Sequence, residues 1–230
     1  MSPPPAPPLS IIIPVLNEAA GIVHTLAPLQ PLRARGCEAM VVDGGSTDAS
    51  AELARPLADR VIASPPGRAR QQNAGAAEAR GDVLLFLHAD TRLPPDADQL
   101  VSDGLRASGR GWGRFDVRLT GDHPMLRVIE RMIGVRSRLS GIATGDQAIF
   151  VRRDWFTRTG GFPQIPLMED VALSKALKRL GPPLCLRETV LTSSRRWEQR
   201  GVWRTMALMW RLRLEFWLGA DPDRLAERYR

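Results

Sequence analysis

Lysine is nearly absent: Lys175 and Lys178 are the only two, so 30 of the 32 basic residues are arginine. Cysteine is as scarce. Cys37 and Cys185 lie far apart, form no CxxC pair and have no zinc-ligand spacing. That excludes a disulfide framework or a structural zinc as the organising element, and a reducing cytoplasm is the compartment that fits. No run of about 18 uncharged apolar residues occurs, so no segment reads as membrane-spanning. The proline-rich start, Met1 to Pro8, has no basic n-region, and Leu9 to Val15 is too short for a signal h-region with its cleavage site. Internal repeats and long charge blocks are missing too.

What is present belongs to a folded chain. Its 230 residues are 43% hydrophobic and 25% charged, the balance of a sequence that buries a core. That length means one large domain, or one domain with an appendage. Against 25 acidic residues the 32 basic ones leave a net charge of +7 and a pI near 10.7. Arginine is the better fork for phosphates and carboxylates. The codons of a GC-rich genome produce the same excess without any ligand.

Residues 1–8 read as a loose polyproline-type tail. Ser10 to Val15 is a β-branched run of the kind buried in parallel sheets. Residues 20–34 have helical apolar spacing closed by Gly36. Glu38 to Val42 is a second buried strand. Asp43 to Asp48 is a turn in which Ser46 or Thr47 is expected to cap a helix holding Ser50 to Leu57. A strand over Arg60–Ala63, a break at Pro65-Pro66-Gly67, a helix over Arg68–Arg80 and a strand over Asp82–Leu87 follow. Alternating strands and helices predict a parallel α/β sheet flanked by helices, with ligands at the carboxyl ends of the strands. Asn17-Glu18, Asp43 to Asp48 and His88 to Asp90 all fall at such ends. Beyond residue 95 the pattern is mixed: helices over 96–107, 124–139, Glu169–Leu180 and 202–218, strands over Gly111–Leu119 and Ala148–Val151, and a turn at Gly160 to Pro163.

Several residues carry chemistry at these positions. Asp43 and Asp90 each follow a buried strand, where a carboxylate needs a partner. Asp43 reads equally as a turn cap. Asp90 suits a hard cation, Mg²⁺ or Mn²⁺, with phosphate oxygens completing the shell. Arginines at a helix start, as in Gly67-Arg-Ala-Arg-Gln-Gln-Asn73, oppose the macrodipole unless an anion sits there; the alternative is a solvated turn. Glu169-Asp170 opens a helix, either as capping acidity or as a general base facing a cleft.

Taken in order, Pro14-Val-Leu-Asn-Glu18, Val41-Val-Asp-Gly-Gly-Ser-Thr-Asp48, Leu85-Phe-Leu-His-Ala-Asp90 and Glu169-Asp170 resemble the motifs of family 2 glycosyltransferases over about residues 9–197. Thr144-Gly-Asp-Gln147 and Pro166-Leu-Met-Glu-Asp170 are similar to a bacterial subgroup named for its radical-SAM/selenoprotein gene neighbourhoods. The resemblance implies an α/β GT-A fold with a mostly parallel central sheet, and a nucleotide-diphosphate sugar donor. It places Pro14, Asn17 and Glu18 by the base or ribose and Asp43 on the base. Arg68, Arg70, Asn73, His88 and Ala89 fall near the donor. Asp90 matches the last Asp of the family's DxD, while His88 departs from its first position. The cation, Mg²⁺ or Mn²⁺, would offset charge on the leaving diphosphate. Asp170 matches the base of inverting members, with Glu169 as its neighbour and rival. Gly145 and Asp146 fall on the acceptor side. Arg195-Arg196-Trp197 resembles a basic-aromatic motif of processive members, with Trp197 as a sugar platform or a core residue.

In the last helix, Trp203, Met206, Ala207, Trp210, Leu214 and Trp217 share one stripe, with Arg200, Arg204, Arg211 and Glu215 on another face. Such a stripe packs on a core or a second copy, or lies on an acidic membrane surface. The organisation expected is a tail (1–8), a GT-A domain (9–197) and a helical appendage (198–230), cytoplasmic and in peripheral contact with the inner membrane face if the stripe meets lipid. The acceptor is a lipid, a metabolite or a glycan. Two other functions compete. A nucleotidyltransferase usually has a glycine-rich loop after its first strand, where this chain has Val15-Leu-Asn-Glu18. A non-catalytic basic module on nucleic acid or membrane needs a basic stripe with interleaved aromatics; the arginines here are dispersed, so no nucleic acid is expected.

Overall fold

Strand β1 (Leu9–Val15) is apolar at consecutive positions, with Ile11, Ile12 and Ile13 all fully buried. A strand covered on both faces needs this rather than alternation, and β1 accordingly lies inside the sheet. It pairs in parallel with β2 (Glu38–Asp43) on one side and β4 (Val83–Phe86) on the other, and β2 pairs in parallel with β3 (Arg60–Ala63). Side chains alternate between two layers. Ile11, Ile13 and Val15 join a cluster with Ile22, Leu26 and Leu29. Ile12, Met40, Val42, Leu84 and Phe86 meet Ala69 and Ala76 of helix α4 on the other face. The computed structural model describes residues 9–229, apart from the side chain of Arg196. The expected tail at 1–8 lies outside the described residues.

The connecting helices are α1 (Ile22–Leu26), α2 (Gln30–Ala34), α3 (Ser50–Ala54) and α4 (Arg68–Glu78). The single helix expected over 20–34 is broken by a 3-10 turn at Ala27–Leu29, because Pro28 and Pro31 lack the N–H that a continuous helix would use. Neither Ser46 nor Thr47 caps α3. Its N-cap residue is Ala49, and the side chain of Asp48, one residue earlier, accepts from Ser50 N at 3.0 Å.

The second half completes an eight-stranded sheet. It contains β5 (Thr91–Arg92), α5 (Ala97–Ser108), β6 (Trp112–Leu119), α6 (Pro124–Ser140), β7 (Phe150–Arg152), α7 (Arg153–Thr159), α8 (Glu169–Lys178) and β8 (Leu184–Thr192). Strand order is β3-β2-β1-β4-β7-β6-β8-β5. β6 and β8 run parallel, whereas β4–β7, β6–β7 and β5–β8 are antiparallel. The sheet is therefore parallel through its first half and mixed overall. β8 escaped the sequence reading because Arg187, Glu188 and Thr189 at its middle are exposed.

Helix α6 is fixed to β6 by a buried charge network. Arg114, fully buried, donates to Asp116 Oδ1, to Ser137 Oγ at 2.9 Å and to Gly134 O. Arg138 closes on the other Asp116 oxygen at 2.6 Å. The chain ends in α9 (Arg195–Arg200), α10 (Val202–Trp217) and α11 (Pro222–Tyr229). Leu212 of α10 and Leu225 and Ala226 of α11 form a separate apolar cluster with Leu167, Met168 and Val171. The α10 stripe is divided: Met206 packs against the main core, whereas Trp203, Trp210, Leu214 and Trp217 are each more than half exposed.

Candidate active site

β1 has neighbours on both sides whose connections run in opposite directions, and the crevice this opens at the strand ends is where α/β sheets bind ligands. Gln71 of α4 fills the crevice floor. It is buried, and its Nε2 donates to Val15 O at 2.8 Å and Val42 O at 2.9 Å, at the carboxyl ends of β1 and β2. Sequence reading passed over Gln71, although an amide in the middle of an alanine-rich helix is a signal for such a strut.

The loops above are tied together. Asn17, at φ +54°, accepts from Thr47 N at 2.8 Å and donates its own N–H to Ser46 Oγ at 2.9 Å. Glu18 N donates to Ser50 Oγ at 2.7 Å. Asp43 accepts from Gly45 N at 3.2 Å, Ser46 N at 3.1 Å and Ser46 Oγ. Its carboxylate thus organises its own turn. Burial holds the Glu18 carboxyl above its ordinary value, with Arg195 opposing and Asp90 and Asp48 adding to the rise. Asn73 binds both backbone groups of Phe162, through Nδ2 at 2.8 Å and Oδ1 at 2.9 Å, so its amide fastens α4 to the 160–163 turn. Pro14 is half-buried in β1, Ala89 is buried and accepts from Thr25 Oγ1, and Arg70 is exposed.

A cavity of about 470 Å³ lies beside these loops. Of the residues singled out from sequence, Arg68, His88, Asp90, Gly145, Asp146, Glu169, Asp170 and Trp197 line it. Pro14, Asn17, Glu18, Asp43, Arg70, Asn73 and Ala89 are outside its wall. Asp170 is half-buried, and both its oxygens are held by backbone amides: Oδ2 by Gly145 N and Oδ1 by Val171 N, each at 2.7 Å. Gly145 is in turn set by a capping box between Thr144 and Gln147. A Cβ on Gly145 would stand 2.4 Å from His88 Nε2, so only glycine lets the imidazole approach this backbone. Glu169 is buried and faces Arg68 Nη1 at 3.4 Å. Burial and the charge of Asp170 push its pKa up to about 6, against the pull of Arg68. Burial works against the Arg68 charge, but Glu169, Tyr229 and Asp170 outweigh it and hold that guanidinium above its ordinary value. Asn17, Ala148 and Met168 are the non-glycine residues with left-handed backbone among those described. All three flank this region, where such strain is typically retained.

Asp90 is exposed and lines the cavity, and among the described residues its one side-chain hydrogen bond is a long one, 3.4 Å, from Thr91 Oγ1. No cluster of three or more metal-ligating side chains exists among the described residues. A single open carboxylate fits Mg²⁺ or Mn²⁺ when phosphate and water oxygens supply the remaining positions. It does not make a closed protein cage. The cavity also has an apolar wall that sequence reading missed, from α6 and α10, with Arg136 and Arg213 set in it.

The profile of Glycosyl transferase family 2 matches residues 10–154, more than half of the chain, and the chain belongs to that family. An undecaprenyl-phosphate 4-deoxy-4-formamido-L-arabinose transferase from Pseudomonas aeruginosa is 36% identical over 107 residues, covering 42% of this chain and 32% of that protein. The chain thus spans about a third of such relatives. Among solved structures, S. aureus TarS in complex with UDP superposes with a TM-score of 0.66 at 18% identity, over 80% of this chain and 60% of TarS. Glucosyl-3-phosphoglycerate synthase from Mycobacterium tuberculosis, with Mn²⁺ and UDP, gives 0.59 at 22% identity over 80% and 70%. The fold is that of the GT-A glycosyltransferases, with a mixed sheet.

Proposed function

We propose that the chain is an inverting glycosyltransferase that moves a sugar from a nucleoside-diphosphate sugar to an acceptor hydroxyl, with Asp170 as general base. The observation that carries this is the Asp170 carboxylate, fixed by Gly145 N and Val171 N in the wall of the cavity that also holds Asp90 and His88. Such a base takes the proton of the acceptor hydroxyl as its oxygen attacks the anomeric carbon and the nucleoside diphosphate leaves from the opposite side. A carboxylate held by two amides keeps its orientation through that exchange. Glu169 suits the role less, since it is buried against Arg68; it holds Arg68 at the cavity. UDP in the structural relatives supports a nucleoside-diphosphate donor beside Asn17, Glu18 and Asp43.

Asp90 is assigned to Mg²⁺ or Mn²⁺, which when bound supplies positive charge for the departing diphosphate. Arg68 and His88 contribute at the same wall. Gly145, Asp146 and Trp197 face the acceptor. The GT-A body is placed at 9–197 with 198–230 appended, in the cytoplasm, the α10 stripe touching the inner membrane face or a second copy. Among the described residues no helix is long and apolar enough to cross a membrane.

Asp170→Asn tests the assignment. It keeps the shape and removes the proton affinity, so transfer falls by roughly 10²–10⁴-fold while nucleoside-diphosphate binding stays at the wild-type level. Transfer at the wild-type rate in Asp170→Asn, with loss in Glu169→Gln, would move the base to Glu169.

A further inference from the structure

The acceptor half of the cavity has an unusual chemistry. Its wall is apolar on both sides: Ile129, Met132 and Ile133 come from α6, and Met206, Met209 and Trp210 from α10. Each helix also sets one arginine into that wall, Arg136 from α6 and Arg213 from α10. Neither guanidinium has an ion pair among the described residues. Arg136 donates to Thr144 Oγ1 at 3.3 Å, and its buried Nε has no hydrogen-bond partner among the described residues. Burial and the facing charge of Arg213 push Arg136 down to about 10, with Asp146 and Asp170 opposing and Arg114 adding to the fall. It is still a cation at neutral pH. Asp146 and Asp170 line the same cavity, but among the described residues neither forms an ion pair with Arg136 or Arg213; two half-buried cations in an apolar wall are costly unless an anion joins them, and a guanidinium pair is suited to an oxyanion.

The apolar wall continues outward. On α6 the residues Val128, Met132, Val135 and Leu139 share one stripe and are all exposed, Leu139 by 84%. On α10 the exposed stripe holds Trp203, Trp210, Leu214 and Trp217. Met132 and Trp210 belong both to these stripes and to the cavity rim. The cavity therefore opens onto apolar surface, where a small polar acceptor would have nothing to bind.

We propose that Arg136 and Arg213 form an anion-binding subsite for the acceptor, and that the acceptor is an amphiphile with an oxyanion head between them and an apolar body along α6 and α10. This rests on the glycosyltransferase reading above and narrows its acceptor to lipid-like anions. The two arginines set the head close to Asp170, which lines the same cavity.

Decyl phosphate, below its micellar concentration, is the probe, with inorganic phosphate and decanol as its two halves. Binding to the full chain is read by calorimetry. Decyl phosphate should bind more tightly than either half. Arg136→Gln and Arg213→Gln should each weaken it about 10- to 100-fold, the worth of a hydrogen bond to a charged group, with decanol binding unchanged. Arg131→Gln, on the exposed side of α6, should leave both unchanged. Should Arg136→Gln fail to fold, Arg136→Lys keeps the charge without the fork and should still weaken decyl phosphate. A panel of nucleoside diphosphates with Mn²⁺ is titrated in parallel, and its affinities should not change in either arginine variant. Undiminished decyl phosphate binding in both variants overturns the subsite. Parallel loss of nucleoside-diphosphate binding overturns it too, by assigning the arginines to the donor. Inorganic phosphate binding as tightly as decyl phosphate overturns the amphiphile. If the wild type binds no nucleoside diphosphate, the glycosyltransferase reading fails by itself, and an arginine-dependent anion site is left that serves no acceptor.

Discussion

Gly145→Ala should disable the site without disturbing the fold. The added Cβ would lie 2.4 Å from His88 Nε2 and 2.7 Å from His88 Cε1, but 3.6 Å from Asp170 Oδ2. Ordinary contact begins near 3.4 Å, so the imidazole must retreat by about 1 Å while the Asp170 carboxylate stays. The backbone of Gly145 is not left-handed, so alanine adopts it without strain. His88 lines the cavity, so the displacement alters the cavity wall. A misplacement of that size costs on the order of 10²-fold in turnover, and the melting temperature should stay within about 2 °C. The assay uses the sugar nucleotide that most raises the melting temperature of the wild type, and follows release of its nucleotide. A double-mutant cycle isolates the cause. On a His88→Ala background there is no ring to displace, so adding Gly145→Ala should cost nothing further. An equal loss in both backgrounds, or full activity in Gly145→Ala, would refute the reasoning.

Three other outcomes follow from buried groups. Glu169 has its folded pKa raised from 4.5 to about 6, so its contribution is fully present below pH 4.5 and is lost as pH rises through 6. Relative to Glu169→Gln, the wild type should lose about 2 kcal/mol in all as pH rises from well below 4.5 to well above 6, measured by urea melts across pH; parallel profiles would contradict this. Asp116→Asn leaves Arg114 buried without its counter-charge, which costs about 3–5 kcal/mol and should lower the melting temperature by about 6–20 °C. Burial pushes Cys37 up to about 11, so at pH 8 a thiol reagent should label Cys185 fast and Cys37 only on unfolding.

The first half of the chain was legible because its strands announce themselves. LSIIIPV, EAMVV and DVLLF are apolar at successive positions, and polar clusters punctuate their ends. The ordered motifs then brought Asp90, Glu169 and Asp170 to notice, and the cavity gathers all three. What the residue pattern concealed was tertiary. Asn73 reads as a ligand in its motif, yet its amide is engaged by Phe162, 89 residues away in chain and adjacent in space. The helix over 20–34 gave way to two prolines whose cost a periodicity count does not register. Strand β8 looks like loop because its exposed middle carries Arg187 and Glu188. The α10 stripe had the spacing of a buried face, but spacing says only that residues share a side. Which side meets the core is decided by Leu212 docking on Leu225 and Leu167.

That docking has a bearing on how such enzymes diversify. The loops after β1, β2 and β4 are secured to one another by bonds such as Asn17 to Thr47 and Glu18 to Ser50. The α10–α11 pair is held by its small cluster with Leu167, Met168 and Val171 and, at the start of α10, by Val202 and Met206 on the main core. Replacing those two helices would exchange one wall of the cavity and leave the bonds among those loops in place. On the proposed assignment of donor and acceptor, the two recognition surfaces would be separable along the chain, and one could drift while the other stayed under selection.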